Sequence, residues 1–217
     1  MSRGLRDRLR LVLRTGPVGT DENAGAGATP PALPWTQLVA FTEDCRVSGR
    51  IQLDSDRLSD TLNGHRDYLL CDVLVESLED ARTIHADEVP IARDELIAVL
   101  ADGPRGDPAR RTHTLTYPVT VTAGPYLIRG NLHALPGVEP LASAHHRRPM
   151  IPLSDAWIEY RSGGSSQTTS CGTIVVNRET ADWIQLGFVP SSAVTGAGAD
   201  AAPRTIGVAA TEGSWRA

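Results

Sequence analysis

Between residues 36 and 187 short apolar runs alternate with polar positions at a period of two, the signature of half-buried β-strands. In the first part of this region the runs are "TQLVAF" (36–41), "CRVSGRIQL" (45–53), "YLLCDVLVES" (68–77), "TIHADEVPIA" (83–92) and "ELIAVL" (95–100). In the second they are "THTLTYPVTVTA" (112–123), "YLIRGNLHA" (126–134), "MIPLSDAWIEY" (150–160), "GTIVVN" (172–177) and "DWIQLG" (182–187). All are rich in β-branched and leucine side chains, and Gly, Asp, Asn and Ser bound them. One short helix is predicted at "RLSDTLN" (57–63). No long helix separates the strands, which excludes βαβ units and a parallel sheet. The pattern predicts a mainly β protein, and a five-stranded antiparallel unit hides its edges most economically as a small barrel.

The two sets of strands are copies of one another. "CRVSGRIQL" aligns with "YLIRGNLHA", placing Gly49 on Gly130. "LLCDVLVES" aligns with "PLSDAWIEY", placing Asp72 on Asp155 and Glu76 on Glu159. "EVPIARDELIAVL" aligns with "TIVVNRETADWIQL", placing Arg93 on Arg178 with one extra residue in the second copy. The organisation read from this is a basic amphipathic helix (1–14), a flexible linker (15–35), a first barrel repeat (36–101), a linker (102–112), a second repeat (113–187) and a flexible tail (188–217). The helix is inferred from Leu5, Leu9 and Leu13 spaced four apart among arginines. The linker and tail are inferred from their Gly, Ala and Pro content and their lack of period.

Charge changes this picture in one respect. The formal net charge is −5, but residues 1–14 carry five arginines against one aspartate, so the tip is basic and the rest acidic. An acidic body repels phosphate backbones and argues against general nucleic-acid binding. Three isolated cysteines with no C-x-x-C fit a reducing cytoplasm and argue against a structural zinc. No apolar run reaches the length of a membrane span, and the start of the chain lacks a signal-peptide pattern, so the expected location is cytoplasmic.

The strand order, the glycine in the second strand and the Val-x-x-Arg before the last strand resemble the Sm-like fold of Sm and Lsm proteins. The resemblance covers most of residues 36–187, once per repeat. It implies two tandem five-stranded barrels, each here carrying a short inserted helix. Asp72 with Glu76, and Asp155 with Glu159, fall where that family has its Asp-x-x-x-Glu, and Arg93 and Arg178 near the arginine of its Arg-Gly signature. The glycine after that arginine is replaced by Asp94 and Glu179, and the Met-Asn of the RNA-reading loop by "LNGHRDY" and "AHHRRPM". These departures fall on the RNA pocket. The tandem pattern is also similar to that of uncharacterised actinobacterial proteins, which implies no activity.

Few residues suggest chemistry. Asp72 and Glu76 stand about 13 Å apart along a strand at ~3.3 Å per residue, too far for a paired acid and base on one bond. "SGGSSQTTSCGT" (162–173) reads as a flexible hairpin loop, because Ser170 and Cys171 lack a nucleophile elbow. Cys71 reads as a small core residue. Contacts with an anion or RNA, if made, would fall on Asn63, Arg93, His145, His146, Arg147, Arg148 and Arg178. For the two repeated arginines an ion pair with the repeated aspartate of the same barrel is preferred. No catalytic residue, metal site or cofactor is expected. The N-terminal helix has three readings: docking in a partner protein's acidic groove through Leu5, Arg6, Leu9, Arg10, Leu13 and Arg14, adsorption to an anionic membrane, or packing on its own body. The expected function is non-enzymatic: a protein-interaction scaffold or adaptor whose partner is another protein, with homo-oligomers through open strand edges. The alternative is an RNA-binding Sm-like module.

Overall fold

A computed structural model describes residues 34–101, 112–145 and 148–188. The expected N-terminal helix lies outside them, as does nearly all of both linkers and of the tail. The described chain is mainly β. Its strands are β1 (Trp35–Phe41), β2 (Cys45–Gln52), β3 (Asp67–Ser77), β4 (Thr83–Ala92), β5 (Ala98–Ala101), β6 (Leu115–Ala123), β7 (Tyr126–Ala134), β8 (Met150–Ser162), β9 (Ser165–Asn177) and β10 (Trp183–Leu186). Helix α1 (Leu58–Gly64) joins β2 to β3, and α2 (Pro140–His145) joins β7 to β8. A 3₁₀ turn (Arg93–Glu95) precedes β5.

All ten strands form one antiparallel sheet in the order β10-β6-β7-β8-β9-β5-β1-β2-β3-β4. Each half repeats one internal order: its last strand pairs with its first, and strands two to four follow. The halves are joined where β5 pairs with β9. Each half wraps its own core. The first gathers Leu38, Val47, Leu53, Leu62, Leu70 and Ile91; the second gathers Val121, Ile128, Leu132, Leu153, Ile158 and Ile174. In both, alternate strand positions point inward, as the period-two pattern requires.

The repeated glycine and aspartate bend the sheet. Opposite Gly49 the β2–β3 register slips, and Asp72 takes a left-handed backbone, φ 51°. Opposite Gly130 the β7–β8 register slips in the same way, and Asp155 has φ 46°. Two residues of the third strand thus face one of the second, a β-bulge that sharpens twist and bend. Asp is among the few side chains that tolerate this backbone. The glycines allow the close approach: a Cβ on Gly130 would lie 2.8 Å from the Ala156 Cβ, and one on Gly49 3.2 Å from the Cys71 carbonyl.

The segment read as a loop at 162–173 is instead a tight turn and a strand. Gly163 and Gly164, both at positive φ, link β8 directly to β9. The pairing then keeps one register from Ser162–Ser165 to Ser154–Thr173, skipping only Asp155–Gly172. Two adjacent residues at positive φ fit the hairpin turn matched to strand twist, and ladder pairing overrides the weak strand preference of Ser and Gly.

Candidate functional site

A constellation of buried polar and aromatic side chains lies at the joint between the halves. Each half inserts side chains into the other's core. Phe41, Ala98 and Leu100 pack in the second core, and Met150 and Val175 in the first. Phe41 is fully buried, edge-on to Tyr126 at 5.3 Å and to Tyr160 at 5.4 Å. Tyr126 donates its hydroxyl to the Thr42 carbonyl at 2.7 Å. Burial pushes the Tyr126 phenol well above the usual range, with smaller contributions from neighbouring groups, Cys45 first among them.

Two asparagines staple the joint. Asn177, fully buried, donates to the Arg93 and Leu96 carbonyls, each at 2.9 Å, and its backbone N–H reaches Ile97 O at 2.9 Å. Asn63, on α1, accepts from Met150 N at 3.0 Å and donates to Met150 O at 2.9 Å. It thereby grips β8 as a neighbouring strand would. At the far end Ser162 donates to Glu76 at 2.8 Å, and Gly163 N–H to Leu78 O at 2.9 Å.

The residues singled out from sequence scatter about this joint. Asn63 has its amide engaged in the staple. Arg93 donates to the His65 carbonyl at 3.3 Å, and its own carbonyl receives Asn177. Arg178 is partly buried beside the second core, and its buried Nε has no hydrogen-bond partner among the described residues. Neither arginine takes the expected aspartate. Asp72 pairs with Arg50, which stands beside it across the bulge, and Asp155 is 3.5 Å from the Asn131 amide. The 3₁₀ turn holds Arg93 at the start of β5, on the joint side of its half. Arg148 is exposed just ahead of β8, and His145 closes α2. His146 and Arg147 lie outside the described residues, as do Leu5, Arg6, Leu9, Arg10, Leu13 and Arg14.

Glu76 and Glu159 are also accounted for. Glu76 pairs with Arg46 at 3.1 Å, and Glu159 with Arg129, a nearly buried guanidinium that also lies 5.9 Å from the Trp157 ring centroid. Arg129 carried no sequence signal, because its position in β7 follows the outward phase of the alternation.

An open cleft of about 540 Å³ runs across the outer face beside the joint. Val39, Leu74 and Leu100 line its apolar part, the Arg50–Asp72 pair one wall, and Thr169 with Cys171 another. Cys171 donates to the Ala156 carbonyl at 3.6 Å. Cys71, half-buried rather than in the core, sits near Glu88 and Asp72. Desolvation pushes its thiol up, and those carboxylates push it further, which disfavours the nucleophilic thiolate. Among the described residues no three His, Cys, Asp or Glu side chains gather as a metal site, and no helix is long and apolar enough to cross a membrane.

The halves differ sharply in charge. Residues 34–101 carry 14 acidic residues against 6 arginines, whereas residues 112–188 carry five of each. No family model, curated protein or solved structure matches this chain.

Proposed function

We propose that this chain is a non-enzymatic protein-interaction scaffold, built from two Sm-like small barrels joined edge to edge and working in the cytoplasm. Support for the barrel reading comes from the repeated strand order, the helix placed between the second and third strands, and the matching bulges at Gly49–Asp72 and Gly130–Asp155. The observation that carries the scaffold reading is the joint itself. β5 and β9 pair at their edges while side chains cross into the opposite core. Edge addition with reciprocal side-chain insertion is therefore a mode of association this fold already uses on itself. Among the described residues two further edges, β4 and β10, end the sheet. The basic N-terminal segment would add a second contact, docking on an acidic, apolar surface of the partner.

Capture from native lysate tests the reading, comparing the full chain with one lacking residues 1–20 and analysing protein and nucleic acid in the eluates. A protein retained by the full chain supports the scaffold, and its loss with the truncation assigns the N-terminal segment as its dock. Nucleic acid held by both versions and released by salt sinks the reading and favours the RNA-binding alternative.

A further inference from the structure

The open edges can be compared with the joint position by position. The registers place β10 where β5 stands in the first half: Trp183 faces Thr122 as Ala98 faces Phe41. They place β4 where β9 stands: Val89 faces Leu70 as Ile174 faces Leu153. On topology alone, a second copy would add by setting its β4 against β10. The residues that make the internal joint are missing from those places. Phe41, which plugs the neighbouring core, has Thr122 as its counterpart. Met150, which enters the opposite core, has Asp67. Asn177, the staple, has Ala92, and Val175 has Pro90.

The last exchange matters most. Asn177 N–H points across the joint to Ile97 O, so by alternation the backbone of Val175 also faces β5. Pro90 holds that outward place on β4 and has no N–H to give, a common way to blunt a sheet edge.

β10 is different. It has no proline, and Ile184, the counterpart of Val99, turns its N–H and C=O outward. Beside it are the exposed apolar side chains Trp183 (62% accessible) and Leu186 (47%), and just beyond the strand Phe188 lies half-exposed with its ring 5.3 Å from that of Trp157. The polar residues Thr122 and Gln185 beside it are uncharged, and the carboxylate of Asp182, just ahead of the strand, accepts from Gly124 N–H. Exposed apolar clusters of this kind mark contact surfaces.

We propose that the β10 edge seats an extended, apolar and uncharged segment of a different protein as an eleventh strand, and that the β4 strand of a second copy is not that segment. The proposal rests on the edge-addition reading of the scaffold and names its edge and the chemistry of its partner.

The test uses the full chain and two labelled, end-blocked peptides. One copies Gly172–Asn177, the strand seated on β5; the other copies Asp87–Ala92, the strand a second copy would offer. The first is expected to bind and to shift tryptophan emission, and the second to bind at least tenfold more weakly. Trp183→Ser and, as a milder surface change, Gln185→Lys should each weaken the first peptide at least tenfold without altering the circular dichroism. Equal binding of the two peptides, or binding unmoved by either variant, overturns the proposal. So does a sedimentation mass that rises with protein concentration and falls back in Gln185→Lys, which makes a second copy the occupant. Binding that appears only after removal of residues 189–217 overturns it too, since the chain's own tail then holds the edge. A lysate partner whose capture ignores Trp183→Ser sinks the seat but leaves the scaffold. A seat that binds its peptide while no lysate protein is captured does the reverse.

Discussion

Truncating Phe41 is the sharpest test of the way the two halves cohere. Its backbone belongs to β1 of the first half, yet its fully buried ring lies in the core of the second. Phe41→Ala should therefore cost about 3–5 kcal/mol, the usual range for a buried phenylalanine. Part of that cost is the loss of two edge-on contacts, with Tyr126 and Tyr160. Phe41→Leu keeps most of the buried area and forfeits mainly the ring geometry, so it should cost about 1–2 kcal/mol. Guanidinium unfolding followed by circular dichroism gives the magnitudes, and hydrogen exchange resolved by peptide gives the location. If the joint makes one cooperative body, amides in β7 and β8 lose protection as fully as those in β1 and β2. The reasoning is refuted if Phe41→Ala costs less than ~1 kcal/mol. It is equally refuted if protection falls only in first-half peptides, because the halves then unfold independently.

Three other outcomes are expected. Gly130→Ala should destabilise by about 1–3 kcal/mol, because its Cβ would meet Ala156 and Leu153 at 2.8 and 3.0 Å. Gly49→Ala should cost less, its nearest contacts being 3.2 and 3.3 Å, and chemical denaturation of the pair ranks them. Asn63→Ala should lower stability by about 1–3 kcal/mol, since it removes both bonds to the Met150 backbone and leaves those groups without their partner; a thermal melt that does not move would return Asn63 to the residues free to meet a ligand. Alkaline pH should destabilise the protein through its buried phenols. Burial pushes Tyr68 up to about 12 and Tyr126 higher still, whereas the unfolded phenols titrate near ~10. The native state then holds more protons above pH ~10, so this stability is complete below that value and is lost as pH rises through the folded range. Absorbance at alkaline pH should show two late or unfolding-linked tyrosine ionisations.

Strand positions and the duplication were legible because alternation with a period of two is a local signal, present twice with the same punctuation. The Asp-x-x-x-Glu recurrence was visible as architecture, but its role was not. That role rests on a left-handed backbone at Asp72 and Asp155, a property no residue pattern states outright. Pairing Arg93 with Asp72 was the natural expectation from the repeat, yet Arg50 lies across the bulge and reaches the carboxylate first. The stretch 162–173 read as a loop because Ser, Thr and Gly are poor strand formers. Long pairing with β8 decides otherwise. The joint left no trace in periodicity: β5 and β10 carry similar apolar patterns, and only side-chain fit selects which edge β9 occupies. Asn63 belongs with these, since a polar residue in a helix reads the same whether it meets a ligand or a neighbouring strand.

The crossing of side chains at the joint also sets a timetable for synthesis. Asn177 lies 76 residues beyond Ala101, so at ~5–20 residues per second the first half waits about 4–15 s before the strand that covers it exists. Throughout that interval Phe41, Ile97 and Leu100 have no core to enter. A nascent chain of this protein should thus be a client for ribosome-associated chaperones at lengths between about 100 and 180 residues, and slow codons within that span would lengthen the exposure.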